Sequence, residues 1–313
     1  MNSMKARCRL RSAEDVLGAV PFLFGFHPTD SIVAVFIGTD AVIRAVGRAD
    51  LDTPPGEVVA QFRAVAGRDV SCVVLLGYGR VPHHGVLNDV IRGLRRDVAV
   101  VGGLWVSDGE YRCVWDGCDC VAAAGVAFDP RVTVSAATLI AQGHVAAPSR
   151  SAVLNELAAD PGAHAEIRAA IEHLDACPGS FTVADALRIA ERGERLDTAQ
   201  AAALAVLLLQ PHAREQAWRA TDGQPWQRQL WFDLTRRVPD SHLSAVATLA
   251  AWWAWRTGDE MLAREALRRA VDSGPPSAFT RIVAECVTAR IDPGSLPWPM
   301  NSDMETPTLR QRA

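Results

Sequence analysis

The segment Gly25 to Ser31, GFHPTDS, brings a histidine, a carboxylate and a hydroxyl within five residues at His27, Asp30 and Ser31. Histidine titrates near neutral pH and a carboxylate can orient its ring. His27 with Asp30, or with Asp50 further along, is therefore a candidate general base for a hydrolase or transferase. A serine-hydrolase triad built from the same residues fails on geometry. All three sit on one loop, no elbow joins a strand to a helix there, and Ser31 has no oxyanion hole in view. Arg48, Asp50, Tyr78, Arg80 and Asp108 stand at the ends of other segments and complete a candidate ligand-binding set. Gly77-Tyr78-Gly79 does not make it a phosphate loop, because the lysine and hydroxyl of a P-loop and the third glycine of a dinucleotide fingerprint are missing. Each residue alone also has a structural reading: Asp30 and Ser31 as backbone caps, Asp50 as the partner of Arg48, His27 as a loop anchor.

Cys113, Cys118 and Cys120 form a C-x4-C-x-C run that could offer three thiolates to zinc. The spacing departs from paired C-x2-C knuckles, and a fourth ligand would have to come from Cys72, His83 or His84 without any local signature. No metal is expected, and no cofactor is implied by the residues.

The elements that must position the candidate set follow from local signals. Ser12 with Asp15 three residues on suggests a capped helix, ended at Pro21 because a proline pushes its predecessor out of the helical region. Ile32 to Ile37 and Val42 to Gly47, separated by a GTDA turn, read as a hairpin. Glu57 to Ala66 is a helix, Val70 to Leu76 a strand buried on both faces, Val86 to Arg96 a helix, and Val98 to Val106 a strand. The Asp-Gly of SDGE then turns the chain into a last strand, Tyr111 to Trp115. This is an αββαβαββ order, an α/β layer with a mixed sheet. A hairpin return and crossover helices bring the loops around Asp30, Arg48, Arg80 and Asp108 to one sheet edge, where ligands of open α/β sheets bind.

Three stretches together resemble a known family: RSAEDVLGAVPFLFGFHPTDSIVAVFI at Arg11 to Ile37, ADL at Ala49 to Leu51, and AWWAWRTGDEMLAREALRRA at Ala251 to Ala270. The family is the uncharacterised actinobacterial one catalogued as domain of unknown function 4192. GFHPTDS and the Arg48-x-Asp50 step match its recurrent motifs, but it carries no catalytic assignment to transfer. The C-C-P context that the family often places before a glycine like Gly125 is absent here, which further weakens a metal reading of the cysteines.

Length and composition bound the rest. A chain of 313 residues suits two compact units. A net charge of −4 supplies no field to gather polyanions, which argues against general nucleic-acid binding. Lys5 is the only lysine, so the arginines read as the surface charge of a high-GC coding bias. Seven cysteines, an odd number scattered through a long chain, fit a reducing compartment. The longest apolar runs, Ala201 to Leu209 and Leu243 to Trp255, fall short of the ~20 residues of a membrane span, and the first twenty residues lack the apolar core of a signal peptide. A cytoplasmic protein is expected.

Strand signals stop near residue 130. The expected organisation is an α/β domain over 1–147 with the ligand-binding edge, a helical domain over 148–300, and a disordered tail over 301–313. In the helical half, Gly258, Ala263, Leu267, Ala270 and Pro275 resemble half of a tetratricopeptide repeat, with Gly258-Asp259 as the turn of a helical hairpin. Trp252, Trp253 and Trp255 cannot all face one side of a helix, since neighbouring positions diverge by about 100°. At least one is expected to be open to the α/β half or to a protein partner, the alternative being plain helical core.

Overall fold

The computed structural model describes residues 12–67, 69–115, 125–174, 181–289 and 291–296. These divide between two compact units that meet in the sequence between Val153 and Leu154. Cys8, Cys118, Cys120, Cys177, Trp298 and the tail 301–313 lie outside the described residues.

The first unit opens with α1 (Ala13–Phe24), capped by the Ser12 hydroxyl, which accepts the Asp15 amide at 3.2 Å. Pro21 does not end the helix as its sequence suggests. The helix continues to Phe24, and Gly25 at φ 75° closes it in the left-handed region. A proline inside a helix costs about 3 kcal/mol. Here Val16, Leu17, Val20, Pro21 and Phe22 are all buried, and that apolar burial offsets the cost.

Then follow β1 (Ser31–Ile37), β2 (Ile43–Asp50), α2 (Pro55–Val65), β3 (Cys72–Tyr78), α3 (His84–Leu94), β4 (Ala99–Ser107), β5 (Glu110–Cys113), β6 (Val126–Ala127) and α4 (Val134–Ala141). The six strands form one mixed sheet in the order β2-β1-β3-β4-β5-β6, with β3 and β4 parallel and the other neighbours antiparallel. Strand bounds depart from the sequence reading: β3 covers Cys72–Tyr78 instead of Val70 to Leu76, and β5 covers Glu110–Cys113 instead of Tyr111 to Trp115. Strand β2 runs to Asp50 instead of stopping at Gly47, because Ala49 is buried and holds the ladder to β1 closed. Strand β6 is only two residues long and shows no periodicity to read.

Alternation sorts the sheet into two faces. Val33, Val35, Ile37, Val74, Leu76 and Leu104 pack toward α1 and α4, while Ile32, Ala34, Phe36, Val73, Leu75 and Trp105 pack toward α2 and α3. Strand β1 is buried throughout, as a strand covered on both faces must be. Two glycines permit close approach. A Cβ on Gly18 would lie 2.0 Å from the Thr133 hydroxyl that caps α4, and one on Gly77 would lie 2.3 Å from the Trp105 ring.

The register fixes the candidate edge. Ser31 at the start of β1 pairs with Asp50 at the end of β2 and with Tyr78 at the end of β3, and Tyr78 pairs with Val106 near the end of β4. Although β3 runs in the direction of β2, β1 lies between them.

The chain reaches the second unit at α5 (Arg150–Leu154) and continues with α6 (Pro161–Glu172), α7 (Val183–Glu191), α8 (Thr198–Leu207), α9 (Pro211–Ala220), α10 (Pro225–Arg237), α11 (Asp240–Thr257), α12 (Glu260–Asp272) and α13 (Ala278–Thr288). No helix among the described residues is long and apolar enough to cross a membrane. Helix α11 is buried on every side, with α8, α9, α10, α12 and α13 around it. Gly258 at φ 86° ends it, Asp259 caps α12 by accepting the Leu262 amide at 3.0 Å, and Ala247, Ala251, Ala254, Ala263, Ala266 and Ala270 are all fully buried in this hairpin.

The expected open tryptophan is not found: Trp252, Trp253 and Trp255 are 1%, 7% and 4% exposed. Their indole N–H groups donate to the Thr221, Gln224 and Ile291 carbonyls at 2.9, 2.8 and 3.2 Å. Divergent directions on a helix imply an open face only if the helix has one, and α11 is enclosed by its neighbours.

Two outcomes follow. Gly77→Ala should lower stability by about 1–3 kcal/mol in chemical denaturation, because the buried Trp105 ring must shift. Gly56→Ala, where a Cβ meets nothing within 4 Å, should not. Trp252→Ala should cost about 3–5 kcal/mol, as loss of a large buried side chain does; a melting temperature close to wild type would contradict its place in the core.

Candidate functional site

Four chain segments meet at the edge where β1 begins and β2, β3 and β4 end. Their meeting is held by backbone hydrogen bonds: the Leu51 amide to the Asp30 carbonyl at 3.0 Å, and the Gly79 amide to the Val106 carbonyl at 3.2 Å. Trp105 reinforces the second contact from below, its indole N–H donating to the Gly79 carbonyl at 2.9 Å. The rings of His83 and His84, at the start of α3, each lie 6.1 Å from that indole.

Between these segments is a hollow of about 470 Å³, within the size range of small-molecule sites. Asp30, Arg80, His83 and Asp108 line it with Thr29, Ser107, Tyr78 and the apolar Pro28, Leu51, Val81 and Val106. Asp30 and Asp108 both adopt positive φ, 43° and 48°. For Asp108 this is the tight Asp-Gly turn joining β4 to β5, with Gly109 at φ 78°. Asp30 belongs to no hairpin; its φ is held by the bond from Leu51 and is tolerated because aspartate visits the left-handed region more readily than most residues. Tyr78 is 8% exposed, and its hydroxyl is buried without a hydrogen-bond partner among the described residues. Burial pushes its phenol well above the usual tyrosine range, so it stays protonated.

The expected set is therefore split. Asp30, Tyr78, Arg80 and Asp108 share the hollow; His27, Ser31, Arg48 and Asp50 do not line it. Ser31 is fully buried at the start of β1, out of reach of any substrate. Arg48 pairs with Asp50 at 2.7 Å, and its guanidinium sits 5.9 Å from the centre of the Phe26 ring, which makes this step of the sequence a loop fastening. His83, Thr29 and Ser107 join the hollow although the sequence did not single them out for it. Thr29 and Ser107 lie at or near strand ends and His83 just before α3, positions that many polar residues share.

His27 is the clearest correction. Its amide donates to the Ala147 carbonyl at 3.0 Å, and its ring lines a separate hollow of about 600 Å³ with Gly109, Phe128, Asp129, Pro130, Arg131, Ala146 and Pro148. The charges acting on it are Arg131 and Asp129, not Asp30 or Asp50. Burial first, and then Arg131, hold its pKa below the ordinary value, against a smaller opposing effect of Asp129. Asp129 and Arg131 are joined to each other by two bonds of 3.0 Å. No hydrogen bond links the His27 ring to a carboxylate among the described residues, so the general-base pairing with Asp30 or Asp50 is not formed. Of the zinc candidates, Cys72 and Cys113 are free thiols, and no cluster of three or more His, Cys, Asp or Glu suited to a metal occurs among the described residues.

Fold and site together define a protein with two units, an α/β unit that carries an open hollow with charged groups at the carboxyl ends of two parallel strands, and an all-helical unit. The chain belongs to the family described as Domain of unknown function (DUF4192), whose model matches residues 14–294. No curated protein and no solved structure matches it.

The titration of His27 gives a direct check. In the folded protein its midpoint should fall below 6.5, the ordinary value, and rise when Arg131 is replaced by glutamine. Because the folded pKa is depressed, the histidine's contribution to stability is complete above 6.5 and declines as pH falls from there toward the folded value. His27→Gln should therefore flatten the stability profile on the acid side of 6.5. NMR of the imidazole protons reads the midpoint; a value above 6.5 would place the ring in a different environment.

Proposed function

We propose that the α/β unit binds a small polar ligand in the hollow lined by Asp30, Arg80, His83 and Asp108. One observation supports this most: these four side chains, arriving from three separate segments, have no hydrogen-bond or ion-pair partner among the described residues, although elsewhere on the unit charged side chains pair readily. Groups left without protein partners in a concave, apolar-walled site are available to a ligand. Position adds to it, since ligands of open α/β sheets gather beyond the carboxyl ends of parallel strands. Catalysis is not part of this reading, because the histidine that would have served as base lies in another hollow.

Three further expectations accompany it. The scattered, odd-numbered cysteines support a cytoplasmic protein. The arginine-rich, nearly lysine-free composition supports an actinobacterial source. The small residues buried along the α11–α12 hairpin support reading it as half of a tetratricopeptide-like repeat. A scaffold function through the three tryptophans is not carried forward, as all three are core.

A thermal-shift screen of polar metabolites tests the ligand reading. A ligand present at 100 times its Kd should stabilise the protein by about 2.7 kcal/mol. The shift should be lost in Asp30→Asn and Asp108→Asn and kept in Arg44→Ala, at the opposite end of the sheet. Hits that survive both aspartate substitutions would refute the placement.

A further inference from the structure

The two hollows of the α/β unit are neighbours. Pro28 lines the first and His27 the second; Asp108 lines the first and Gly109 the second. Consecutive residues are 3.8 Å apart at their Cα atoms, so the wall between the hollows includes two backbone steps, His27–Pro28 and Asp108–Gly109. Each of the two steps is held by a backbone hydrogen bond. The His27 amide is bound to the Ala147 carbonyl and the Phe128 amide to the Gly109 carbonyl, at 3.0 and 2.7 Å.

The two sides differ in chemistry. In the first, Asp30 and Asp108 present acceptor-only carboxylates with no protein donor among the described residues, which suits closely spaced hydroxyl donors on a ligand. The second is walled by Phe128, Pro130, Ala146 and Pro148. Its Asp129 and Arg131 already satisfy each other in two hydrogen bonds. The His27 ring has no hydrogen bond among the described residues, and a neutral imidazole offers one donor and one acceptor. Apolar walls with one such group suit a flat heterocycle whose edge carries both functions. The first hollow sets two carboxylates against one free arginine, Arg80, with His83 beside them, and the arginine of the second is already paired with Asp129; neither gathers the excess of positive charge that a polyanion needs.

We infer that the hollows are two lobes of one site, and that its ligand is a nucleoside: sugar hydroxyls at Asp30 and Asp108, base against Phe128 and the prolines with its edge at His27. This rests on the ligand-binding reading above and extends it by naming the ligand class.

Isothermal titration of the full chain with adenosine, guanosine, cytidine and uridine, and with ribose and the free bases alone, tests it. At least one nucleoside should bind tenfold or more tighter than its own sugar or base. Asp30→Asn and Asp108→Asn should weaken nucleoside and ribose binding at least tenfold while sparing the base. His27→Gln and His27→Ala should weaken nucleoside and base binding by a similar factor while sparing ribose. Circular dichroism and the melting temperature confirm that each variant is folded, and asparagine retains the left-handed turn at position 108. If ribose binds through the aspartates and no nucleoside binds tighter, the two-lobe inference fails while the first hollow stands as a site. If none of these compounds binds, the nucleoside assignment is overturned; the polar-ligand reading then rests on hits from the metabolite screen that depend on Asp30 and Asp108.

Discussion

The packing of the Trp105 indole across Gly77, with its N–H on the Gly79 carbonyl, is the contact on which the geometry of the site edge depends. Strand β3 can pass beneath an indole at this distance only where it has no side chain on that face. The hydrogen bond then fixes where the strand gives way to the loop bearing Arg80. The rings of His83 and His84, each 6.1 Å from the indole, bring the start of α3 against it. One buried aromatic thus positions the end of β3, the end of β4 on which it resides, and the entrance to the next helix. The position of Asp30 follows at one remove: a Cβ at Gly79 would come within 3.5 Å of its carboxylate. An apolar contact on the α2–α3 face therefore sets the spacing of the polar groups at the edge.

The helical unit shows the opposite relation between pattern and packing. An amphipathic helix declares its buried side in the sequence, and α12 does so, with Leu262, Ala263, Ala266, Leu267 and Ala270 on one stripe. Helix α11 has no polar stripe over most of its length, because neighbours surround it. Its tryptophans bring polar N–H groups into that interior, and each finds a carbonyl at the end of another segment. A buried donor without an acceptor costs about 1–3 kcal/mol, so these bonds constrain which segments can lie where.

What the sequence revealed were features whose cause is local. The Ser12 cap, the Asp-Gly turn at 108–109, the doubly covered β3 and the Gly258 helix stop are each dictated by residues within a few positions of one another, and all are seen. The shared edge was legible as well, because hairpin return and crossover connections leave few alternatives. Features set by distant neighbours were not. The continuation of α1 through Pro21 depends on burial beneath the sheet. The enclosure of Trp252, Trp253 and Trp255 depends on five other helices. The assignment of His27 to one side of a wall and Pro28 to the other depends on where residues 109, 128–131 and 146–148 settle, and nothing in GFHPTDS records that.

The two ends of the sheet use the same residue type differently. At the far end, in the β1–β2 hairpin, Asp40 stands beside Ala41 at φ 60°; its carboxylate accepts the Val42 amide at 3.2 Å and the Arg44 guanidinium at 2.9 Å. Those bonds, with Arg44 alongside, hold the Asp40 carboxyl below its usual range. This aspartate is spent on its own turn. At the near end Asp30 and Asp108 occupy equally constrained backbone, yet neither side chain caps an amide or pairs with an arginine among the described residues. Positive φ therefore does not mark the site, since both ends have it. The distinguishing feature is that the near end bears the conformational cost of presenting two carboxylates and, among the described residues, draws no hydrogen bond from them. A turn selected for stability alone would use such groups as the far end does, and this difference supports a role for the pair outside the fold.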